Sequence, residues 1–122
     1  MATRPQRILV GYDGSEAAER ALAAAADLVG YGSTLSVVTV HNGEIDHSTT
    51  ADAREQLQRR HVGARYHEVH GEPAEQLVAK ARELGADLLV VGRRSRKPIR
   101  APLGSVSAKV VRRCPCDVLV VR

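Results

Sequence analysis

Hydrophobic positions along this chain follow two alternating patterns: short continuous apolar runs, and longer segments whose apolar residues are three and four positions apart. Continuous runs are typical of buried strands, and the three-and-four spacing is typical of amphipathic helices. The two patterns alternate from the first run to the last. Strands are predicted over Arg7–Tyr12, Leu35–His41, Ala64–Val69, Leu88–Val91 and Asp117–Val121, and helices over Glu16–Val29, Thr50–Arg60, Pro73–Leu84 and Ser105–Arg113.

Two of these elements have weaker patterns than the rest. The second helix offers only Ala53 and Leu57 as inward positions, which predicts a short or partly frayed helix. The third strand mixes Arg65, His67 and Glu68 with its apolar residues. Because charged side chains are typical of strands at the edge of a sheet, this strand is expected at an edge.

The alternation of strands and helices predicts a parallel sheet with right-handed crossovers and helices on both faces, which is a three-layer α/β sandwich. If the chain winds outward through strands 2 and 3 and then returns to pair strand 4 with strand 1, the strand order is 3-2-1-4-5. Ligands of such sheets bind beyond the carboxyl ends of the strands, where the order reverses. The loops after strands 1 and 4 are therefore expected to face each other across a binding crevice.

Both of these loops have unusual sequences. The first is Asp13-Gly14-Ser15, in which Ser15 can cap the following helix and Asp13 could be an ordinary turn residue. The second covers residues 92–104 and is longer than the usual connection of about 2–6 residues. It contains five cations and no acid. The charge of these five residues exceeds the formal net charge of the whole chain, +4, so the remaining residues together carry a net charge of −1. These cations are Arg93, Arg94, Arg96, Lys97 and Arg100.

The basic loop ends at Gly104-Ser105, where the last helix is predicted to begin. Free backbone N–H groups and the helix dipole favour an anion at such a position. One interpretation is therefore a site for a phosphate-bearing ligand. The other is a solvated basic loop followed by an ordinary serine cap.

Composition narrows the class of protein. The 122 residues are expected to form one domain, 1–122, around a single core of small aliphatic side chains, because only 2% of the residues are aromatic. The longest apolar run, Ala21–Ala26, is too short to cross a membrane, and no signal-peptide pattern precedes it, so a cytoplasmic protein is predicted. Cys114 and Cys116 are expected to be reduced thiols, and the five histidines to be surface residues rather than metal ligands.

The sequence has neither of the common nucleotide-binding fingerprints. No G-x-x-x-x-G-K-[ST] occurs, and no G-x-G-x-x-G follows a strand. A response-regulator receiver domain would need an acidic pair after the first strand and an Asp after the third, where this chain has Asp13 alone and His70. No arrangement of nucleophile and base is recognisable, which predicts a binding protein rather than an enzyme.

Three segments together resemble the universal stress protein family, and the resemblance spans nearly the whole chain. They are ILVGYDGS, GEPAEQLVAKARELGADLLVVGRRS and LGSVSAKVVRRCPCDVLVVR. The resemblance implies the Rossmann-like, adenine nucleotide alpha hydrolase-like fold with the 3-2-1-4-5 sheet, a cytoplasmic location, and a homodimer formed through the last strand, Asp117–Val121. An unpaired edge strand would favour such pairing across a two-fold axis.

The ATP-binding branch of that family places adenine and ribose near an Asp after the first strand and holds phosphates with G-x-x-G-x₉-G-[ST]. By this resemblance, Asp13 corresponds to the Asp, Gly92 to the first Gly, and Gly104-Ser105 to the final pair. Ser95 stands where the second Gly belongs, and eight residues rather than nine separate it from Gly104. The residues expected to bind the nucleotide are Asp13, Val40, Gly92, Arg93, Arg94, Ser95, Gly104, Ser105, Val106 and Ser107.

The resemblance predicts a module of the stress response that binds an adenine nucleotide, in the first place ATP with Mg²⁺. The alternative is a family member that binds no nucleotide and acts through contacts of its basic loop with an acidic protein or another polyanion. A third interpretation is slow ATP hydrolysis or autophosphorylation at Ser105 or Ser107. Nucleic acid is not an expected partner, because the chain lacks an aromatic platform and a DNA-reading helix.

Overall fold

The computed structural model describes residues 5–93 and 105–122. The strands are parallel throughout and lie in the order β3-β2-β1-β4-β5. Helices pack on both faces, so the predicted α/β architecture with strand order 3-2-1-4-5 is confirmed. The elements are β1 (Arg7–Gly11), α1 (Glu16–Leu28), β2 (Thr34–His41), α2 (His47–Arg59), β3 (Arg65–His70), α3 (Pro73–Leu84), β4 (Leu88–Gly92), α4 (Ser105–Arg113) and β5 (Asp117–Val121).

The core has two halves, one on each face of the sheet, because successive side chains of a strand point to opposite faces. Ile8 and Val10 of β1 pack with α1 and α2, whereas Leu9 packs with α3 and α4. Since β1 and β4 are covered on both faces, nearly every position in them is apolar. This explains why the central strands are visible in the sequence as continuous apolar runs.

Helix α1 packs close to the sheet because its buried side chains are almost all alanine. Ser15 begins the helix, and its Oγ accepts a hydrogen bond from the Ala18 N–H at 3.1 Å. Small side chains let the helix backbone approach the end of β4. The buried positions are Ala17, Ala18, Ala21, Leu22, Ala25 and Ala26.

The prediction of a short second helix over Thr50–Arg60 is wrong, because α2 already begins at His47. Its N-cap is Asp46, whose carboxylate accepts a hydrogen bond from the Ser48 N–H at 3.0 Å. Thr50 provides a further buried position, and its hydroxyl donates to the Thr39 hydroxyl at 3.3 Å. The cap and the buried threonine are polar, so the spacing of apolar residues does not show them. The helix was therefore predicted to be shorter than it is.

The two edges of the sheet are β3 and β5. The predicted edge position of the third strand is confirmed, and its side chains are only partly buried. The other element boundaries agree with the predicted ones to within one residue. The last strand has one unpaired edge in the described sheet, and Leu119 on it is 37% exposed.

Candidate functional site

A cavity of about 870 Å³ opens at the carboxyl edge of the sheet, beyond the ends of β1 and β4. The strand order reverses here, because the chain continues from β1 to β2 on one side and later returns to β4 on the other. In doubly wound sheets this is the position at which ligands bind. The cavity is lined by Gly11, Tyr12, Asp13, Ser15, Glu16, Ala17, Ala18, Arg20, Val38, Val40, Pro73, Leu77, Val91, Gly92, Arg93, Val106 and Ser107.

Asp13 lies at the rim of the cavity, in the turn between β1 and α1. Its Oδ1 accepts a hydrogen bond from the Ser15 N–H at 3.0 Å. Gly14 has a φ of 82°, a left-handed conformation that glycine adopts without steric cost. The turn therefore holds an exposed carboxylate beside the first turn of α1, where it can accept hydrogen bonds from a ligand.

Gly92 lies in the cavity wall, in close contact with the backbone of helix α1. A Cβ at this position would collide with the backbone carbonyl group of Ala17 and lie 2.9 Å from its Cβ. The carbonyl oxygen of Gly92 accepts a hydrogen bond from the buried Ser107 hydroxyl at 3.3 Å. This bond connects the first turn of α4 to the end of β4, so the amino end of α4 lies at the cavity.

Positive charge and helix geometry make this side of the cavity suitable for an anion. Arg93 follows β4, and its backbone N–H donates to the Val121 carbonyl at 2.7 Å. Arg20 extends from α1, and its Nε donates to the Arg122 carbonyl at 2.7 Å. The first turn of α4 adds backbone N–H groups and the positive end of a helix dipole.

The opposite side of the cavity is apolar and lies above the end of β2. Val40 and Leu77 line it, and the side chain of Val38 is fully buried. The Val38 carbonyl accepts a hydrogen bond from the Tyr12 N–H at 2.9 Å and so points toward β1. Because backbone groups alternate in direction along a strand, those of Val40 point to the same side, beyond the end of β1. They offer one donor and one acceptor to a planar ligand.

The sequence profile of the universal stress protein family matches residues 5–55 and 44–122. The chain belongs to the universal stress protein family. A relative of that family from Thermus aquaticus is 35% identical over 133 aligned positions, which cover 94% of this chain and 97% of the relative. The family resemblance seen in the sequence is therefore confirmed.

Two solved structures have the same fold as this chain over nearly all of its length. One is a universal stress protein in complex with cAMP, which is 32% identical to this chain and has a TM-score of 0.85. The match covers 98% of each of the two chains. A protein from Mycobacterium tuberculosis H37Rv is also 32% identical, with a TM-score of 0.74 and coverage of 100% of this chain and 98% of that one. The Rossmann-like, adenine nucleotide alpha hydrolase-like fold is thus shown for this family member.

The structure brings six of the ten predicted nucleotide-binding residues together in this family member. Ser105 begins α4. Arg94, Ser95 and Gly104 lie outside the described residues, as do Arg96, Lys97 and Arg100 of the basic loop. The six residues that line the cavity are Asp13, Val40, Gly92, Arg93, Val106 and Ser107.

Tyr12 and Arg20 also line the cavity of this universal stress protein, although neither was predicted from the sequence. The Tyr12 hydroxyl accepts a hydrogen bond from Gln56 Nε2 at 3.1 Å, and burial of the phenol raises its pKa above the ordinary value. Arg20 is four residues after Glu16, so both lie on one face of α1, and both line the cavity. Helical spacing counted from the Asp13 turn could have identified Arg20.

The expectation that all five histidines are surface residues is wrong for His41, which is 7% exposed. Its Nε2 lies 3.4 Å from Glu68 Oε2, and the same oxygen is 2.7 Å from His47 Nδ1. Burial acts to raise the pKa of Glu68, but hydrogen bonds from Thr50 and His47 and the charges of both histidines outweigh it, so this pKa is lowered. The cluster connects the start of α2 to β3.

Across residues 5–93 and 105–122, no group of three or more His, Cys, Asp or Glu side chains is placed to hold a metal ion. His67 and His70, the most closely spaced histidines in the sequence, are three residues apart on β3 and therefore point to opposite faces. None of the helices in the same residues is both long and apolar enough to cross a membrane.

Proposed function

We propose that this universal stress protein binds an adenine nucleotide, in the first place ATP, in the cavity beyond β1 and β4. The observation that carries the proposal is that Asp13 and Gly92, from the ends of two different strands, line one cavity at the reversal of strand order. The universal stress protein of 32% identity that was solved in complex with cAMP supports the same ligand class.

The apolar side of the cavity fits the adenine ring. Adenine presents a ring-nitrogen acceptor next to an amino donor, which matches the N–H and C=O that Val40 directs beyond the end of β1. Guanine carries an oxygen acceptor in place of the amino donor, so its pattern opposes that of Val40. The site should therefore prefer adenine to guanine.

The polar side of the cavity fits ribose and phosphate. Asp13 would accept hydrogen bonds from the ribose hydroxyls, and Gly92 would let the backbone approach the phosphates. Arg20, Arg93 and the first turn of α4 would neutralise phosphate charge. Mg²⁺ is usually held by substrate phosphates and one or two carboxylates. The carboxylates that line the cavity are Asp13 and Glu16.

The proposed role is that of a cytoplasmic binding module in the stress response. The described residues that line the cavity include no His, Cys or Lys that could act as base or nucleophile beside a bound phosphate. The lining residues that have an assigned role shape the cavity, accept hydrogen bonds or supply positive charge. These are the properties that ligand binding needs.

Isothermal titration calorimetry of nucleotide-free protein with Mg-ATP, AMP, cAMP and GTP tests the proposal. We expect the adenine nucleotides to bind and GTP to bind at least about tenfold more weakly, because the backbone of Val40 discriminates between the bases. Comparison of ATP with AMP and cAMP measures the contribution of the outer phosphates. An absence of heat with every adenine nucleotide at millimolar concentration would contradict the proposal and favour the polyanion-binding alternative.

We also propose a homodimer that pairs β5 strands across a two-fold axis. The described sheet leaves one edge of β5 unpaired, and Leu119 on β5 and Val111 on the neighbouring helix α4 are 37% and 48% exposed. Exposed apolar side chains beside an unpaired strand edge favour association with a second copy.

Light scattering after size-exclusion chromatography should give about twice the chain mass of 13.2 kDa at micromolar concentration. Leu119→Lys should weaken the dimer at least about tenfold, since two desolvated charges would meet near the axis. Tyr31→Lys replaces another exposed side chain, 105% exposed and on the α1–β2 turn, and should leave the dimer intact. A wild-type monomer, or an intact dimer of Leu119→Lys, would contradict this interface.

A further inference from the structure

Two thiols lie together at the corner between α4 and β5. Cys114 follows the last residue of α4, and its N–H donates to the Val110 carbonyl at 2.9 Å, so helical hydrogen bonding continues to this residue. Cys116 lies directly before β5, and its Sγ is 3.2 Å from that of Cys114. The nine residues of α4 span about 13 Å. The thiol pair is therefore at the far end of the helix from the nucleotide cavity.

The geometry favours a bond between the two sulfurs. Because a disulfide bond is about 2.05 Å long, the sulfurs need to approach each other by only about 1 Å. The helix and the strand hold the two cysteines, and the ring of Pro115 between them restricts the backbone further. The sequence has two cysteines, so an intrachain disulfide can form only between Cys114 and Cys116.

The two thiols differ in reactivity. Burial raises the pKa of Cys116 to about 12, and the hydrogen bond with Cys114 acts in the same direction. Cys116 therefore keeps its proton and can donate it to Cys114 Sγ. Since the thiolate is the form that attacks an oxidant, Cys116 reacts slowly, and Cys114 is the sulfur that we expect to react first.

The surroundings of the two cysteines let a small oxidant reach the sulfurs and favour formation of a disulfide. Each cysteine is half-buried, so a small oxidant can reach the sulfurs from solvent. On the inner side the pair packs against the buried apolar cluster that includes Leu89 and Val110. A disulfide has no S–H group that needs a hydrogen-bond acceptor, and it therefore suits this apolar contact.

We propose that Cys114 and Cys116 form a redox modification site that closes to a reversible disulfide in the presence of hydrogen peroxide. The Cys114 thiolate attacks one peroxide oxygen, the O–O bond breaks, and the departing hydroxide takes a proton to become water. The Cys116 thiol then attacks the sulfur of the Cys114 sulfenic acid. The S–S bond forms, the S–O bond breaks, and the hydroxyl group leaves with the Cys116 proton as a second water. Two electrons pass from the sulfurs to the peroxide, and a dithiol reductant reverses the change by exchange.

Intact-mass measurement after peroxide treatment and iodoacetamide quenching of the full chain tests this site. We expect a product that has lost two hydrogen atoms, takes no alkyl label, runs as a single chain on a non-reducing gel and regains two alkylatable thiols with dithiothreitol. Thiols that stay alkylatable in a large excess of peroxide, sulfinic or sulfonic products, or covalent dimers would each overturn the proposal. The readout does not involve nucleotide, so its outcome is independent of the cavity.

Single-cysteine variants test which sulfur reacts first. Cys116→Ser retains Cys114, and Cys114→Ser retains Cys116; neither can close the ring. With dimedone present to trap sulfenic acid, Cys116→Ser should form the adduct at least about tenfold faster than Cys114→Ser. Equal rates, or a faster reaction of Cys114→Ser, would overturn the assignment of Cys114 as the attacking sulfur. Circular dichroism of both variants verifies that the comparison is made on folded protein.

Discussion

Replacing Gly92 with alanine should lower the free energy of unfolding by about 3 kcal/mol or more. The added Cβ would collide with the backbone carbonyl group of Ala17, and it would lie 2.9 Å from the Ala17 Cβ. A side chain could rotate away, but the obstacle here is the backbone of α1, whose alanine face packs on β4. The helix would have to move away from the sheet along the cavity wall. Urea unfolding followed by circular dichroism measures the loss.

Gly63→Ala is the matched control for this prediction. A Cβ at Gly63 meets no atom within 4 Å, and the glycine is not in the left-handed region. Its unfolding free energy should therefore stay within about 0.5 kcal/mol of the wild-type value. Equal stability of Gly92→Ala and Gly63→Ala would contradict the prediction. It would mean that α1 can shift to make room for the Cβ, so that close packing does not require glycine at position 92.

Asp13→Ala should weaken ATP binding by about 10- to 100-fold, which corresponds to one or two hydrogen bonds to a charged group. The carboxylate lines the cavity, and the turn that ends at Ser15 holds it at the rim. Ser15 still caps α1 in the variant, since its Oγ bonds to the Ala18 N–H. The fold should therefore persist, and calorimetry should report a loss of affinity in folded protein.

Two further variants separate the roles of charge and turn geometry. Asp13→Asn keeps an oxygen for the Ser15 N–H but removes the charge, and it should show an intermediate affinity. Asp27→Ala removes an exposed carboxylate that lies outside the cavity, 3.5 Å from the Arg60 guanidinium, and should leave the affinity unchanged. If Asp13→Ala binds ATP within about twofold of wild type, Asp13 is only a turn residue, as its sequence context alone also allowed.

Local pattern in the sequence was sufficient to predict most of the fold. Continuous apolar runs such as Leu88–Val91 mark strands covered on both faces, and helical spacing with caps marks the helices between them. The order of the elements and the preference for right-handed crossovers predict a parallel sheet covered on both faces, and the observed strand order is one winding that they allow and the one that the family resemblance implies. The second helix was underestimated because its cap, Asp46, and its buried Thr50 are polar.

Part of the candidate site could be located in the same way. Asp13 lies two residues beyond the end of β1 and Gly92 ends β4, and the carboxyl ends of neighbouring parallel strands meet at one edge of the sheet. Their approach to one cavity therefore follows from the strand order alone. Arg20 was not predicted, because its charge alone does not distinguish it from other exposed helix residues and only its helical spacing from the Asp13 turn indicates the cavity.

Most helices and strands and their succession along the chain could be predicted, because each depends on residues that are close together in the sequence. The tertiary structure decided the contact of Gly92 with Ala17, the burial of His41 beside Glu68, and the 3.2 Å approach of the two thiols. The first two join side chains and backbone from elements far apart in sequence. The third depends on how α4 and β5 set the corner between them. Such distances arise only when the helices settle on the sheet, and no periodicity of apolar residues encodes them.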